Sequence, residues 1–209
     1  LIEPDVVTLP QLLKQHGYRT ACVGKWHLGF DEGTKPDAQQ QLHGGPVHRG
    51  FETFFGLPAS LDLPPYFYIR DSRAVALPTN RIEKSNTPGW HRTQGAFWRE
   101  GPIAPGFVHA EGLPLITSTA VEQINHYAAE ADGGPFFLYV ALTAPHTPWL
   151  PSQKFQGNSG ASLYGDFVMN VDQTVGDILA ALESQQLADD TLVVFTSDNG
   201  PVWFAEDVE

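Results

Sequence analysis

Seven consecutive apolar residues, Phe136-Phe137-Leu138-Tyr139-Val140-Ala141-Leu142, constrain this chain more than any other stretch. The run is too short for an ordinary helix and carries no polar face, which is how a buried parallel strand reads. Thr191 to Thr196 has the same character, and Tyr18 to Val23 gives a third short strand. Helical patterns lie between them. Leu9 to His16 has Thr8 as N-cap, Pro10 in the first turn and Gly17 as a stop. Thr117 to Glu130 carries an apolar stripe of Val121, Ile124, Tyr127 and Ala128, with Thr119 and Glu122 at capping-box spacing. Tyr164 to Leu182 places Phe167, Val168, Val171, Val175, Ile178, Leu179 and Leu182 at turn spacing. This order predicts an α/β fold with a mostly parallel central sheet flanked by helices and right-handed crossovers.

Residues 31–114 differ from the rest. They hold most of the Pro and half of the Gly, with aromatics scattered among polar residues. A loop-rich region of that length inside a compact domain usually serves function. Tyr66, Tyr68, Arg70, Arg92, Trp98 and Arg99 are its candidates for shaping specificity, against the plainer reading of ordinary surface.

The three strands share a further property: each runs out into a polar cluster. Lys25 and His27 follow the first, His146 the second, and Asp198 with Asn199 the third. In open parallel sheets ligands bind outside the carboxyl ends of the strands. If the three are neighbours, a fixed cation, two imidazoles and two oxygen donors converge on one edge. That set suits an oxyanion held beside a hard metal ion. Asp198 and Asn199 offer oxygen only, which favours Ca²⁺ or Mg²⁺ over zinc or copper; alone, Asp-Asn-Gly reads first as a turn. Lys25 is a point charge suited to sulfate or phosphate oxygens, although taken singly Lys25 reads first as a solvated surface charge and His27 as a hydrogen-bonded packing residue. In extended backbone His27, two residues on, points to the same side. His146, between Pro145 and Pro148, has a restricted backbone that aims its ring, and it reads as a general acid for a leaving alcohol or, more plainly, as a turn histidine.

Other residues are set aside. Cys22 lies within the first strand and behaves as a small buried hydrophobe rather than a nucleophile. Phe54, Phe55, Phe97, Trp98 and Trp149 could line a cleft, with core packing as the default. His16, His43, His48, His91, His109 and His126 have no comparable setting. With 12 basic against 24 acidic residues the net charge is -12, which argues against a nucleic-acid partner but not against a small anion in a cationic cleft. One cysteine allows no intrachain disulfide and no Cys-rich zinc site. No apolar run approaches the roughly 18 residues of a membrane span. The first residues show neither an initiator Met nor a signal-peptide pattern, and both ends read as cut.

Taken together, four segments resemble the sulfatase family of the alkaline-phosphatase-like superfamily, in particular its arylsulfatase A-like members. They are Gly17 to Gly29 with its Gly24-Lys25-Trp26-His27-Leu28-Gly29, Gly50 to Gly56, Pro135 to Pro148, and Thr191 to Pro201, in family order and spacing. The resemblance implies that residues 1–209 form part of a sulfatase catalytic domain, alkaline-phosphatase-like and incomplete, that hydrolyses sulfate monoesters of small molecules or carbohydrates. It implies calcium ligation by Asp198 and Asn199. Lys25 and His27 would contact the sulfate and the nucleophile, and His146 the sulfate and the leaving oxygen. Ser60 would place a hydroxyl in the pocket. The family's nucleophile is a formylglycine made from a Cys/Ser-x-Pro-x-Arg motif, and no such motif occurs in these residues. The paired acidic metal ligands near the family's N-terminus and a further pocket lysine have no counterpart here either. The segment alone is therefore expected to be inactive, with an active parent. Family members are commonly periplasmic, secreted or lysosomal. Two other readings stay open: a phosphodiesterase or phosphonate hydrolase of the same superfamily, and a truncated, non-catalytic anion-binding protein.

Overall fold

A computed structural model describes residues 2–3, 5–31, 37–91, 93–130 and 133–201. Its centre is a five-stranded mixed sheet, in the order Arg73–Ala74, Ile69–Arg70, Thr53–Leu57, Arg19–Lys25, Phe136–Ala141. Strand β1 (Arg19–Lys25) is flanked on one side by β2 (Thr53–Leu57) and on the other by β7 (Phe136–Ala141), both parallel to it. Strands β3 (Ile69–Arg70) and β4 (Arg73–Ala74) extend the β2 side antiparallel. A separate ribbon pairs β5 (Asn80–Ile82) with β6 (Gly101–Ile103).

Local chemistry explains the helix ends. Helix α1 (Leu9–Gln15) starts on a reciprocal capping box: the Gln11 amide donates to the Thr8 hydroxyl, and the Thr8 amide donates to Gln11 Oε1. Gly17, at φ +82°, takes the left-handed turn after it. Helix α2 runs from Gly112 to Ala129, five residues earlier than its sequence pattern suggested. Thr119 and Glu122 are thus mid-helix, not a capping box, because Leu113 and Ile116 already belong to the buried stripe with Ala120 and Ile124. Helix α3 spans Ser162–Ser184. Ile116 and Ala120 of α2 and Ile178 of α3 pack on Val23 of β1 and on Leu138 and Val140 of β7.

Three expectations need correction. The Thr191–Thr196 segment forms no ladder, and Leu192, Val194 and Phe195 are 89, 74 and 71% exposed. An apolar strand is stable only when paired and covered, and none of the described residues pairs with this one. Secondly, β7 is the edge strand and only half-buried, with Tyr139 49% exposed, rather than covered on both faces. Thirdly, residues 31–114 hold β2 through β6 and supply most of the largest buried cluster, including Leu42, Phe54, Leu57, Tyr66, Phe67, Ile69 and Ile103. Its segments between those short strands remain loops. No described helix is long and apolar enough to cross a membrane.

His109 belongs to this core and sets a pH limit on it. It is 5% exposed, stacks on Trp98 at 4.4 Å and meets Tyr66 edge-on at 4.5 Å, and its Nε2 has no hydrogen-bond partner among the described residues. Burial pushes the imidazole down to about 4. Between roughly pH 6.5 and 4 the unfolded chain therefore binds a proton that the folded chain refuses. Stability is full above that window and falls as pH drops through it, by at most about 1.4 kcal/mol per pH unit. His109→Gln should flatten the fall in denaturant midpoint between pH 6.5 and 4.5; an unchanged slope would assign it to other groups.

Candidate active site

Because β1, β2 and β7 are parallel neighbours, their carboxyl ends share one edge of the sheet. Lys25 ends β1 and pairs in register with Leu57 of β2, while Gly24 faces Gly56 on one side and Ala141 on the other. The chain beyond β1 stays tied to β2 through the Trp26 amide on the Leu57 carbonyl (2.9 Å) and the His27 amide on the Pro58 carbonyl (3.1 Å). His27 sits at φ +59°, a left-handed conformation that a non-glycine residue seldom adopts. The strand has ended before it, so the two-residue alternation that would bring Lys25 and His27 to one side does not extend to His27.

The two imidazoles carry opposite hydrogen-bond patterns. The Ser60 amide donates to His27 Nδ1 (3.1 Å). That nitrogen must be bare, so the proton sits on Nε2, which is left as a donor. A second proton would break the bond. Partial burial lowers the basicity of His27, and the charge of Lys25 and the ring of His146 push the same way, against the opposing pull of Asp62 and Asp198. His27 thus interacts electrostatically with all four groups. His146, by contrast, lies 2.8 Å from the Thr147 carbonyl through Nδ1, which must therefore be the N–H donor. Its Nε2 is left to exchange a proton. The peptide bonds Ala144-Pro145 and Thr147-Pro148 on either side are cis.

Asp62 and Arg99 complete the edge. The Ser60 hydroxyl donates to Asp62 Oδ1 (2.6 Å), Arg99 Nη1 is paired with Asp62 Oδ2, and His146 Nδ1 stands 3.9 Å from Oδ1. With its proton committed to Asp62, the Ser60 oxygen can only accept, so it is suited to a hydroxyl or ammonium donor rather than to an anionic oxygen. Asp62 escaped the sequence reading; its one signal is the Ser60-Leu61-Asp62 spacing after β2, too common to single out.

Asp198 and Asn199 are exposed. Asp198 has no hydrogen-bond partner among the described residues, and its charge acts on His27 and Tyr139. Asn199 donates Nδ2 to the Gly200 carbonyl (2.8 Å), leaving its amide oxygen uncommitted. Two adjacent free oxygen donors fit part of a hard-cation shell, which needs six or more ligands for calcium. No group of three or more His, Cys, Asp or Glu suited to a metal occurs among the described residues. The remaining aromatic candidates are structural. Phe54, Tyr66 and Trp149 are buried core, Phe55 stacks on Tyr68 at 5.5 Å, and Trp98 stacks on His109. Arg70 lies over the Phe55 ring. Cys22 is fully buried, and burial pushes its thiol far up. Arg92 lies outside the described residues.

Comparison with known proteins matches residues 2–205 to a family model described as Sulfatase. The chain is 29% identical over 238 residues to the N-acetylgalactosamine-6-O-sulfatase of Bacteroides thetaiotaomicron, covering 97% of this chain and 44% of that protein. It is 37% identical over 194 residues to the N-acetylgalactosamine-6-sulfatase of Mus musculus, covering 92% of this chain and 32% of that one. A solved Bacteroides thetaiotaomicron structure, described as a 6S-sulf protein from the metabolism of multiple glycosaminoglycans, superposes with a TM-score of 0.80 at 30% identity, over 96% of this chain and 47% of the other. The chain thus spans less than half the length of these relatives.

Proposed function

The chain belongs to the sulfatase family, and from that premise we propose that it is the anion-binding part of a sulfuric ester hydrolase acting on sulfated carbohydrates. The observation that carries this reading is the convergence of Lys25, His27 and His146 at the carboxyl ends of adjacent parallel strands, with Asp198 near enough to act on His27. The names of the relatives, which act on 6-sulfated N-acetylgalactosamine, support a sugar ester as the substrate.

In this reading the Lys25 ammonium and the His27 Nε2–H point donors at the sulfate oxygens, where negative charge builds in the transition state. His27 does this while neutral, since its Nδ1 accepts from Ser60. His146, oriented by its Nδ1–H on the Thr147 carbonyl, would as the imidazolium carry on Nε2 the second proton that the departing alcohol oxygen needs. Asp198 and Asn199 would hold calcium, or magnesium in its place, and the bound cation would supply Lewis-acid stabilisation of the anion. The nucleophile, a formylglycine on the family pattern, would come from outside these 209 residues. The same reading sets the protein in the periplasm, outside the cell or in a lysosome.

The test is turnover by the full-length protein on paired aryl sulfate and aryl phosphate esters. Sulfate should be the faster substrate; a strong phosphate preference would replace this reading with phosphodiesterase or phosphonate hydrolase chemistry. Elemental analysis of the same preparation should find calcium or magnesium, reduced in Asp198→Ala. Neither ion in the active protein would remove the proposed cation.

A further inference from the structure

Asp62 and Arg99 lie beside the anion site, yet neither is needed to hold a sulfate. Asp62 is deeply set, its side chain 9% exposed, and both carboxylate oxygens are committed, one to the Ser60 hydroxyl and one to Arg99 Nη1. Its backbone carbonyl also accepts from the Arg99 amide (3.2 Å) and from Nη1 (3.3 Å). The Tyr66 hydroxyl points at the Asp62 and Arg99 carbonyl oxygens, at 3.1 and 2.7 Å. Arg99 is thus fixed at its main chain and at one end of its side chain. The other end is open. The side chain is 47% exposed, its guanidinium carbon lies 5.1 Å over the Phe97 ring, and its Nε and Nη2 have no partner among the described residues.

A long side chain pinned this way has already lost most of its rotamer freedom, so further hydrogen bonds cost little ordering entropy. Its position decides what it can bind. Asp62, which holds it, is 3.9 Å from His146 Nδ1, and His146 serves the leaving alcohol in the reading above. The free donors therefore stand on the alcohol side of the ester. A planar fork of N–H donors there suits hydroxyl, carboxylate or amide oxygens and gains nothing from a bare aryl ring edge.

We propose that Arg99 is a specificity residue that binds an acceptor oxygen of the sugar bearing the sulfate, and that Asp62 is the positioning residue that holds it there. The inference rests on the sulfatase reading and deepens it.

The test uses the full-length protein, with 6-O-sulfated N-acetylgalactosamine and 4-nitrophenyl sulfate as probes. The readout is the ratio of kcat/KM for the sugar ester to that for the aryl ester. Arg99→Ala should lower this ratio about tenfold or more, the size of a lost charge-assisted hydrogen bond, mainly through KM for the sugar. Asp62→Asn, which keeps an acceptor for Ser60 but releases the guanidinium, should lower it in the same direction. Arg99→Lys should recover only part, because an ammonium lacks the fork. A ratio unchanged in Arg99→Ala overturns the proposal, whether both rates fall together or neither moves. So does a wild type that cleaves the aryl ester but not the sugar ester. A wild type that cleaves neither sinks the sulfatase reading itself.

Discussion

Replacing His146 by alanine in the full-length protein should lower sulfate-ester turnover by about 10²-fold or more, and Lys25→Ala should do the same. The two losses have different causes, and the pH profile and the choice of leaving group separate them. His146 presents Nε2 because its Nδ1–H is held by the Thr147 carbonyl. Removing it withdraws the proton from the leaving oxygen. The loss should be largest for alkyl esters, whose alkoxide leaves poorly, and smaller for aryl esters with an acidic phenol. The alkaline limb of the kcat profile, where a general acid has lost its proton, should change with it. Lys25 supplies fixed charge, so its removal should cost similarly for either leaving group and, by lifting the charge that lowers the basicity of His27, should move the acid limb to higher pH while leaving the alkaline limb in place. Lys25→Arg should not restore the rate fully, since the guanidinium fork is wider than the ammonium it replaces. Near-normal turnover in either alanine variant would take that residue out of the site.

The second large effect is on folding. Gly24→Ala should destabilise the protein by about 3 kcal/mol or more, combining backbone strain with overpacking. Gly24 sits at φ +118°, a conformation that side chains rarely adopt, and a Cβ there would overlap the Ala141 carbonyl oxygen on β7. Its neighbour in register, Gly56, is equally constrained, because a Cβ there would overlap the Gly24 carbonyl oxygen. Three backbones therefore approach one another closely at the last rung before Lys25. Alanine at either glycine has to part the strands whose ends carry the site. Denaturant unfolding of the full-length variants measures this directly; an unchanged midpoint for Gly24→Ala would mean that the strands are not so closely set.

Much of this was legible in the sequence, and the failures share a cause. Thr8, Pro10 and Gly17 delimit α1 through local capping chemistry, so their pattern survives folding unchanged. The same holds for β1 and β7, although the pattern placed the end of β1 two residues early, at Val23. Strand β2 was hidden because Thr53-Phe54-Phe55-Gly56-Leu57 is short, interrupted by glycine and surrounded by turn residues, yet it is the second neighbour of β1. In the structure its end supplies the third polar cluster, Ser60 and Asp62. Thr191–Thr196 failed the other way. An apolar alternation reports what a segment would do beside a partner, and among the described residues that partner is not present.

The site divides along the same line. Lys25, His27 and His146 could be named because each follows a recognisable strand, and position relative to a strand end is written in sequence. Asp62 and Arg99 are 37 residues apart and meet only through the path of the chain between them. No spacing announces that pair. Nor could spacing give the tautomers, since the bare Nδ1 of His27 depends on the Ser60 amide 33 residues away.

The most direct single measurement is a crystal structure of the full-length protein with sulfate bound. The anion should lie within hydrogen-bond distance, about 3 Å, of the Lys25 ammonium and of imidazole nitrogens of His27 and His146, with Asp198 and Asn199 turned toward a cation beside it. Sulfate bound elsewhere, with Lys25 and His146 facing separate solvent, would contradict a common pocket.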